Sequence, residues 1–352
     1  IVELARIRLG AKAAPAAAFL RAFYANVAPE DMISRTDEDL YGAALALWQF
    51  GSTRTPGQPK IRVYTPRFAE HGWSSTHSVV EIVNDDMPFL VDSVTAELNR
   101  RDINVHLVIH PIVRVARDGN GVVQAISEGA PESFMHVEID RQGAFDVMAD
   151  IAAGLNAVLA DVRVSVADWK PMLARIRNVV DELSDRPPPL PADEVRIARE
   201  FLSWMADDHF TFLGYREYEF SGEGDGARAN VVPGSGLGLC RDDSFLVFDG
   251  LRNLGALPPD VRHFVRQPRL MMITKANRRS TVHRPVYLDA ILVKCFDRGG
   301  RVTGQRLFLG LFTSTAYHQS PRTIPMLAQK VERIVARAGF APNSHDGKAL
   351  LH

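Results

Sequence analysis

Cysteine is nearly missing: Cys240 and Cys295 are the two thiols in 352 residues, and they stand in unrelated contexts with no metal-ligand spacing. That scarcity argues against a disulfide-stapled scaffold and for a reducing compartment, in which both are expected to be free. Net charge is missing too. The 41 basic and 42 acidic residues leave −1, too weak a field to hold nucleic acid or an anionic membrane, so neither is expected as a partner. No run of about 18 apolar residues occurs, so no transmembrane helix is expected, and no signal peptide is visible. A dinucleotide fingerprint is also lacking. The glycine-rich "PGSGLGL" (Pro233–Leu239) leads into "CRDDSFLVFD", which reads as turn and strand; a phosphate cradle needs a helix N-terminus there. No paired nucleophile and base is apparent.

What is present is ordinary globular material, 46% hydrophobic and 24% charged, long enough for two domains with three possible. The chain opens at Ile1 and closes on "SHDGKALLH", which reads as a starting helix; an excised piece of a longer protein is the expectation.

Residues 1–52 read as helices. "PAAAFLRAFYANV" places Phe19, Leu20, Phe23 and Val27 at helical spacing, and "TDEDLYGAALALWQF" opens on an acid-rich first turn. "GSTRTPGQPK" (Gly51–Lys60) is a linker by composition. Strand and helix then alternate: "KIRVYTP", "HSVVEIV", a helix over 87–101, the long strand "NVHLVIHPIVRVAR" with a bend at Pro111, a "DGNG" turn, and "SFMHVEID". This order predicts a ferredoxin-like α+β sandwich. Over 144–183 a helix is favoured, although Val162, Val164 and Val166 also fit a strand period. "DRPPPLP" predicts a stiff boundary. Beyond it lie a helix over 193–207 and the strand-like runs "FTFLGYREYEF", "SFLVFD", "PRLMMITKA", "RPVYLDAILVKCF" and "RLFLGLFTS", then a helix from Arg322 stopped by Gly339.

Three features carry chemistry. His77, His106, His110 and His136 lie on strand-like segments, where hydrogen-bonded structure is the plainer reading and a metal site would need more ligands. "TKANRRSTVHRP" supplies Lys275, Arg278, Arg279, His283 and Arg284 in what reads as a basic loop, able to bind an anion but more simply paired with acids. "NDDMPFL" (Asn84, Asp85, Asp86, Met87, Pro88, Phe89, Leu90) ends a strand and starts a helix, a junction that offers free N–H groups. Its plain reading is a corner with Asp86 capping the helix; its alternative is a pocket for a small acid.

The strings "VEIVNDDMPFLVDSV", "SFMHVEIDR", "FTFLGYREYEF", "VPGSGLG" and "TKANRRSTVHRPVYLDAILVKCFD", with the C-terminal stretch from Ser320, resemble the N-terminal region of the large bacterial NAD-specific glutamate dehydrogenases over nearly the whole chain. The junction resembles an ACT-type regulatory domain, whose signature runs Asp-x-Pro-Gly-Leu-Leu. The resemblance implies a parent that is a cytoplasmic homo-oligomer deaminating L-glutamate with NAD, its catalytic domain absent from this chain. The chain itself would then be a regulatory and scaffolding part, inactive alone, with no cofactor of its own, contacting the rest of its chain and other subunits. It implies an ACT-like domain over 61–185 after a helical segment at 1–60, a linker at 186–191, a PAS-like antiparallel α+β domain over 192–341, and the start of a further domain at 342–352. Asp86, Pro88 and Leu90 match the ACT signature. Phe89 stands where the signature has glycine, so its ring is expected to fill the space a ligand would use; the alternative is an open pocket that senses an amino acid.

Overall fold

The computed structural model describes residues 1–10, 13–222, 226–247, 267–339 and 344–345. Its contacts separate two units, Ile1–Arg163 together with Thr281–Pro285, and the remainder of the chain.

In the first unit the N-terminal helices are α1 (Val2–Leu9), α2 (Ala13–Tyr24), α3 (Pro29–Ile33) and α4 (Asp37–Gly51). Thr36 sets the start of α4: its Oγ1 accepts the Asp39 N–H at 3.1 Å, and Asp37, Glu38 and Asp39 complement the positive end of the helix dipole. There follow β1 (Lys60–Tyr64), α5 (Phe68–His71), β2 (Ser78–Asp85), α6 (Leu90–Arg100), β3 (Val105–Ile109), β4 (Ile112–Arg117), β5 (Val123–Ile126), β6 (Ala130–Ile139) and α7 (Phe145–Ala167). The expected bend falls at His110-Pro111. Proline has no N–H for the ladder, so the long strand splits into β3 and β4, which pair with successive stretches of β6. The sheet runs β1-β2-β6-β4-β5 and is antiparallel, with β1 closing the side of β2 away from β6.

Strand alternation gives this sheet two buried faces. Val83, Val113, Val115 and Phe134 pack against Phe19, Leu20, Phe23 and Leu47 of α2 and α4. On the opposite face, Arg163 of α7 reaches Asn84. The helices expected as a separate segment at 1–60 are therefore the cover of one sheet face, because that face is apolar and needs burial. Residues 159–168, open between helix and strand in the sequence, are helical as far as Ala167, with Asp168 in the turn before the next helix.

The second unit contains α8 (Trp169–Asp185), α9 (Ala192–Trp204), β7 (Phe210–Ser221), β8 (Arg228–Val231), β9 (Leu237–Gly238), β10 (Met271–Arg279), β11 (Tyr287–Phe296), β12 (Val302–Phe312), α10 (Ser314–His318) and α11 (Pro325–Ala338). Its antiparallel sheet has the order β10-β11-β12-β7-β8, with β9 also on β7. Gly339, at φ 70°, stops α11 as expected. The proline run behaves otherwise than its composition suggests. Met172, Ile176, Val179 and Leu183 of α8 share one core with Val195, Phe201 and Leu202 of α9 and with Ile291, Val293 and Phe308 of the sheet. Pro187–Pro191 thus joins two helices of a single core, and the division between units falls within α7 instead. Two further readings are corrected. Ser244–Val247 of "SFLVFD" is turn and coil, its last two residues lying outside the described set. The basic stretch, read as strand to Ala276 and as loop beyond it, stays in the strand as far as Arg279, which pairs with Tyr287 of β11.

Both cysteines are free. Cys240 is fully buried, and burial pushes its thiol up to about 11 despite the nearby Arg216 charge. A thiol-reactive dye at pH 8 is therefore expected to leave Cys240 unmodified in the folded chain and to label it on unfolding; labelling of Cys240 at the denatured rate would show that this core opens.

Candidate functional site

The β2–α6 junction builds a site from seven consecutive residues that part company. The carboxylate of Asp85 turns toward three donors: Arg54 Nη2 at 2.6 Å, Arg163 Nη1 at 2.7 Å and the Gly57 N–H at 3.1 Å. Burial alone would raise its pKa, but the two guanidiniums outweigh that and hold it below the usual carboxylate range. Asn84, fully buried, accepts from Arg163 Nη2 at 2.6 Å. These two candidates belong to an ion network and do not line the pocket.

Asp86, Met87, Pro88, Phe89 and Leu90 do line it. With Val91, Asp92, His110 and Ile112 they line a shallow, solvent-open pocket of about 430 Å³. The expected cap is not made. α6 starts at Leu90 with Phe89 as its N-cap and no side-chain cap bond. Asp86 lies three residues before that N-cap, too far back for its carboxylate to take the N-cap's role; its N–H donates to Pro131 O at 3.2 Å. The first helical bond is Ser93 N–H to Phe89 O, so the N–H groups of Leu90, Val91 and Asp92 have no intrahelical acceptor. His110 completes the wall. Burial lowers its pKa, the Asp86 charge offsets part of that, and its Nε2 lies 2.6 Å from Ser133 Oγ.

Phe89 has φ 71° and ψ 5°, the left-handed conformation that costs an L-residue about 1–2 kcal/mol and glycine almost nothing. The backbone here has a shape that suits glycine, the residue the ACT signature carries at this position, and the phenyl ring lies beside His283, centroids 5.0 Å apart, as part of the pocket wall. Phe89→Gly is expected to change stability by less than about 1 kcal/mol in urea unfolding, because relief of strain offsets the lost, half-exposed ring; a loss of about 3 kcal/mol would show a core residue instead.

The basic candidates do not converge. Lys275 Nζ is 2.6 Å from Asp289 Oδ1, Arg278 lies over the Phe245 ring at 4.4 Å, and Arg279 lies over Tyr287 at 5.1 Å. Arg284 belongs to the Thr281–Pro285 segment of the first unit. The histidines are also shared out. His106 Nε2 meets Asp140 Oδ1 at 2.8 Å, with its ring against that of His77, and His136 is buried between Glu81 and Glu138. The glycine-rich stretch offers no pyrophosphate seat. The Gly238 N–H donates to the buried Asp168 carboxylate at 2.7 Å, a Cβ at Gly238 would sit 2.2 Å from Leu213 O, and a single turn of 3₁₀ helix follows. These residues do not fit NAD. Asp92 was missed, and His110 and His283, read among the strand histidines and the basic stretch, were not placed at the junction; Pro111, which bends the strand beside His110, was the available signal for that residue.

The antiparallel sheet and the β2–α6 junction are those of an ACT-type domain, and comparison with known proteins agrees. Residues 19–155 match the family model for the glutamate dehydrogenase ACT1 domain, and residues 324–352 match that for glutamate dehydrogenase helical motif 1. An NAD-specific glutamate dehydrogenase of Halomonas elongata is 40% identical over 97% of this chain, and one of Pseudomonas aeruginosa is 37% identical over 97%. A third, of Mycobacterium tuberculosis, is 25% identical over 87%. The chain belongs to this NAD-specific glutamate dehydrogenase family. It spans about a fifth of the length of the relatives it matches, 22% and 21% for the first two. The ACT1 match starts inside α2, in keeping with helices that cover the sheet. Among the described residues no helix is long and apolar enough to cross a membrane.

Proposed function

We propose that this chain is the regulatory and scaffolding part of a cytoplasmic, homo-oligomeric NAD-dependent glutamate dehydrogenase, and that the β2–α6 pocket takes a small α-amino acid as effector. The observation that carries the second half is Phe89: a non-glycine residue held in the left-handed region beside an open pocket is strain of the kind that clusters at ligand clamps. The chemistry suits a zwitterion. Asp86 offers a carboxylate for an ammonium group, and the uncapped first turn of α6 offers N–H donors and a positive dipole end for a carboxylate. Met87, Pro88 and Ile112 supply apolar wall for a short side chain.

In the whole protein, NAD and the oxidation of L-glutamate to 2-oxoglutarate belong to a catalytic part outside this chain. The second unit is proposed as the PAS-like domain, which is supported by its antiparallel sheet with the long strands β7 and β12 at the centre and short β8 at one edge. Its role is contact with the rest of the chain and with other subunits.

Two measurements bear on this reading. Purified chain with L-glutamate and NAD is expected to give no rise in absorbance at the NADH band above buffer. Calorimetric titration with a panel of common amino acids is expected to give saturable heat for at least one. NADH formation would overturn the regulatory assignment, and a flat titration across the panel would overturn the effector pocket.

A further inference from the structure

One wall of the pocket is braced by a segment distant in sequence. Thr281–Pro285 packs within the first unit, and its His283 makes three contacts with the start of α6. The His283 N–H donates to Ser93 Oγ at 3.0 Å, its Nδ1 lies 2.8 Å from Asp92 Oδ2, and its ring meets Phe89 with centroids 5.0 Å apart. Beside it, Thr281 Oγ1 donates to Asp161 Oδ2 of α7 at 2.7 Å. His283 is itself left-handed, at φ 65°. Two side-chain-bearing residues in a costly backbone region therefore stand ring to ring, and each persists only because its surroundings hold it. The arrangement also explains a missing cap. Asp92 occupies the third helical position, from which an acid commonly reaches back to the N-cap N–H; here one of its oxygens is turned to His283.

We infer that Thr281–Pro285 is a latch on the β2–α6 pocket, with His283 a positioning residue that holds Phe89 and Asp92 in place and reports their movement. Asp92 and Phe89 line the pocket and touch the latch at once. A ligand that engages the first turn of α6 changes the field at Asp92, and one that presses on Phe89 moves the ring on which His283 rests. Occupancy and latching are then linked, and the linkage acts equally in both directions. The latch runs without a break in sequence into β10 on one side and β11 on the other, so its release would reach those strands through the backbone. The latch rests on the proposed effector site only for the identity of the ligand.

The test needs no ligand, so its outcome is separate from that of the amino-acid titration. Hydrogen exchange is measured on the whole chain as wild type, Phe89→Asn, Phe89→Gly and Asp102→Gly. Asparagine tolerates the left-handed backbone and removes the ring; Asp102, also left-handed at φ 57°, follows the far end of α6 and serves as control. Both Phe89 variants are expected to speed exchange of the His283 amide and of peptides spanning Thr281–Tyr287 by about five- to tenfold, the size of one aromatic contact read through local opening. Asp102→Gly should leave them unchanged. Exchange at Thr281–Tyr287 within about twofold of wild type in Phe89→Asn, with the fold intact, would overturn the latch; so would equal acceleration in Asp102→Gly.

Discussion

Glu132→Gln is expected to destabilise the chain by about 3–5 kcal/mol, the cost of breaking a buried ion pair by removing one partner. Glu132, on β6, is 3% exposed. Its carboxylate accepts from Arg117 Nε and Nη2, both at 2.7 Å, and from Arg54 Nη2 at 2.8 Å. Those two guanidinium side chains are themselves 4% and 2% exposed, so neither can turn to water without opening the sheet. Burial pushes the Glu132 pKa up, but the two arginines outweigh it and keep the carboxyl ionised. The amide of glutamine keeps the shape and removes the charge, leaving Arg54 with Asp85 and Arg117 with backbone carbonyls. Against a domain stability of about 5–15 kcal/mol the loss is large. Urea unfolding of both proteins measures it, and a difference below about 1 kcal/mol would mean that the arginines find water. The network also explains why the junction carries two aspartates: Asp85 is consumed in holding Arg54 and Arg163, which leaves Asp86 for the pocket.

Arg35→Ala is expected to have its largest effect near neutral pH and to lose that effect on acidification. Glu138 is buried, which pushes its pKa up, but hydrogen bonds from the Arg35 fork, with His136 alongside, outweigh burial and bring it from 4.5 down to about 2. Arg35 Nη2 lies 2.8 Å from Glu138 Oε2, and Arg35 Nη1 bonds the other oxygen. A carboxyl whose folded pKa is depressed stabilises the fold above its unfolded value, and the unfolded chain takes up protons first as pH falls. The pair's contribution is therefore complete above about pH 4.5 and fades toward pH 2. The gap in unfolding free energy between wild type and Arg35→Ala, about 3 kcal/mol or more at pH 7 for an uncompensated buried carboxylate, should narrow steadily below pH 4.5. A gap that stays constant from pH 7 to pH 3 would show that Arg35 acts by packing alone.

Much of the first unit was legible because its signals are local. The apolar run ending at Asn84, the stripe Leu90, Val94, Leu98 and the break at Pro111 each fix an element by chain chemistry alone. What failed depended on partners far away in sequence. Asp86 has the residue type and neighbourhood of a cap, but the left-handed turn at Phe89 delays the helix, and no sequence rule places a phenylalanine there. The proline run has linker composition, yet the stripe Met172, Ile176, Val179 on α8 and the stripe Val195, Phe201, Leu202 on α9 fit the same sheet, and periodicity does not say which sheet a stripe will meet. The candidate site was half legible for the same reason. Its contiguous part, Asp86 to Leu90, was in the motif, whereas His110 came from a bend and His283 from a segment nearly 200 residues on.

The central claim is that the junction is a working amino-acid pocket rather than a corner, and thermal melting of wild type and Asp86→Asn with and without a panel of α-amino acids tests it most directly. A ligand at 100 times its Kd adds about 2.7 kcal/mol to the folded state, which raises Tm by several degrees at about 2–4 °C per kcal/mol for a unit of this size. At least one amino acid is expected to raise the Tm of the wild type by such an amount and to leave that of Asp86→Asn within about 1 °C of its ligand-free value. No shift in the wild type for any member of the panel, or a shift of equal size in Asp86→Asn, would contradict the account.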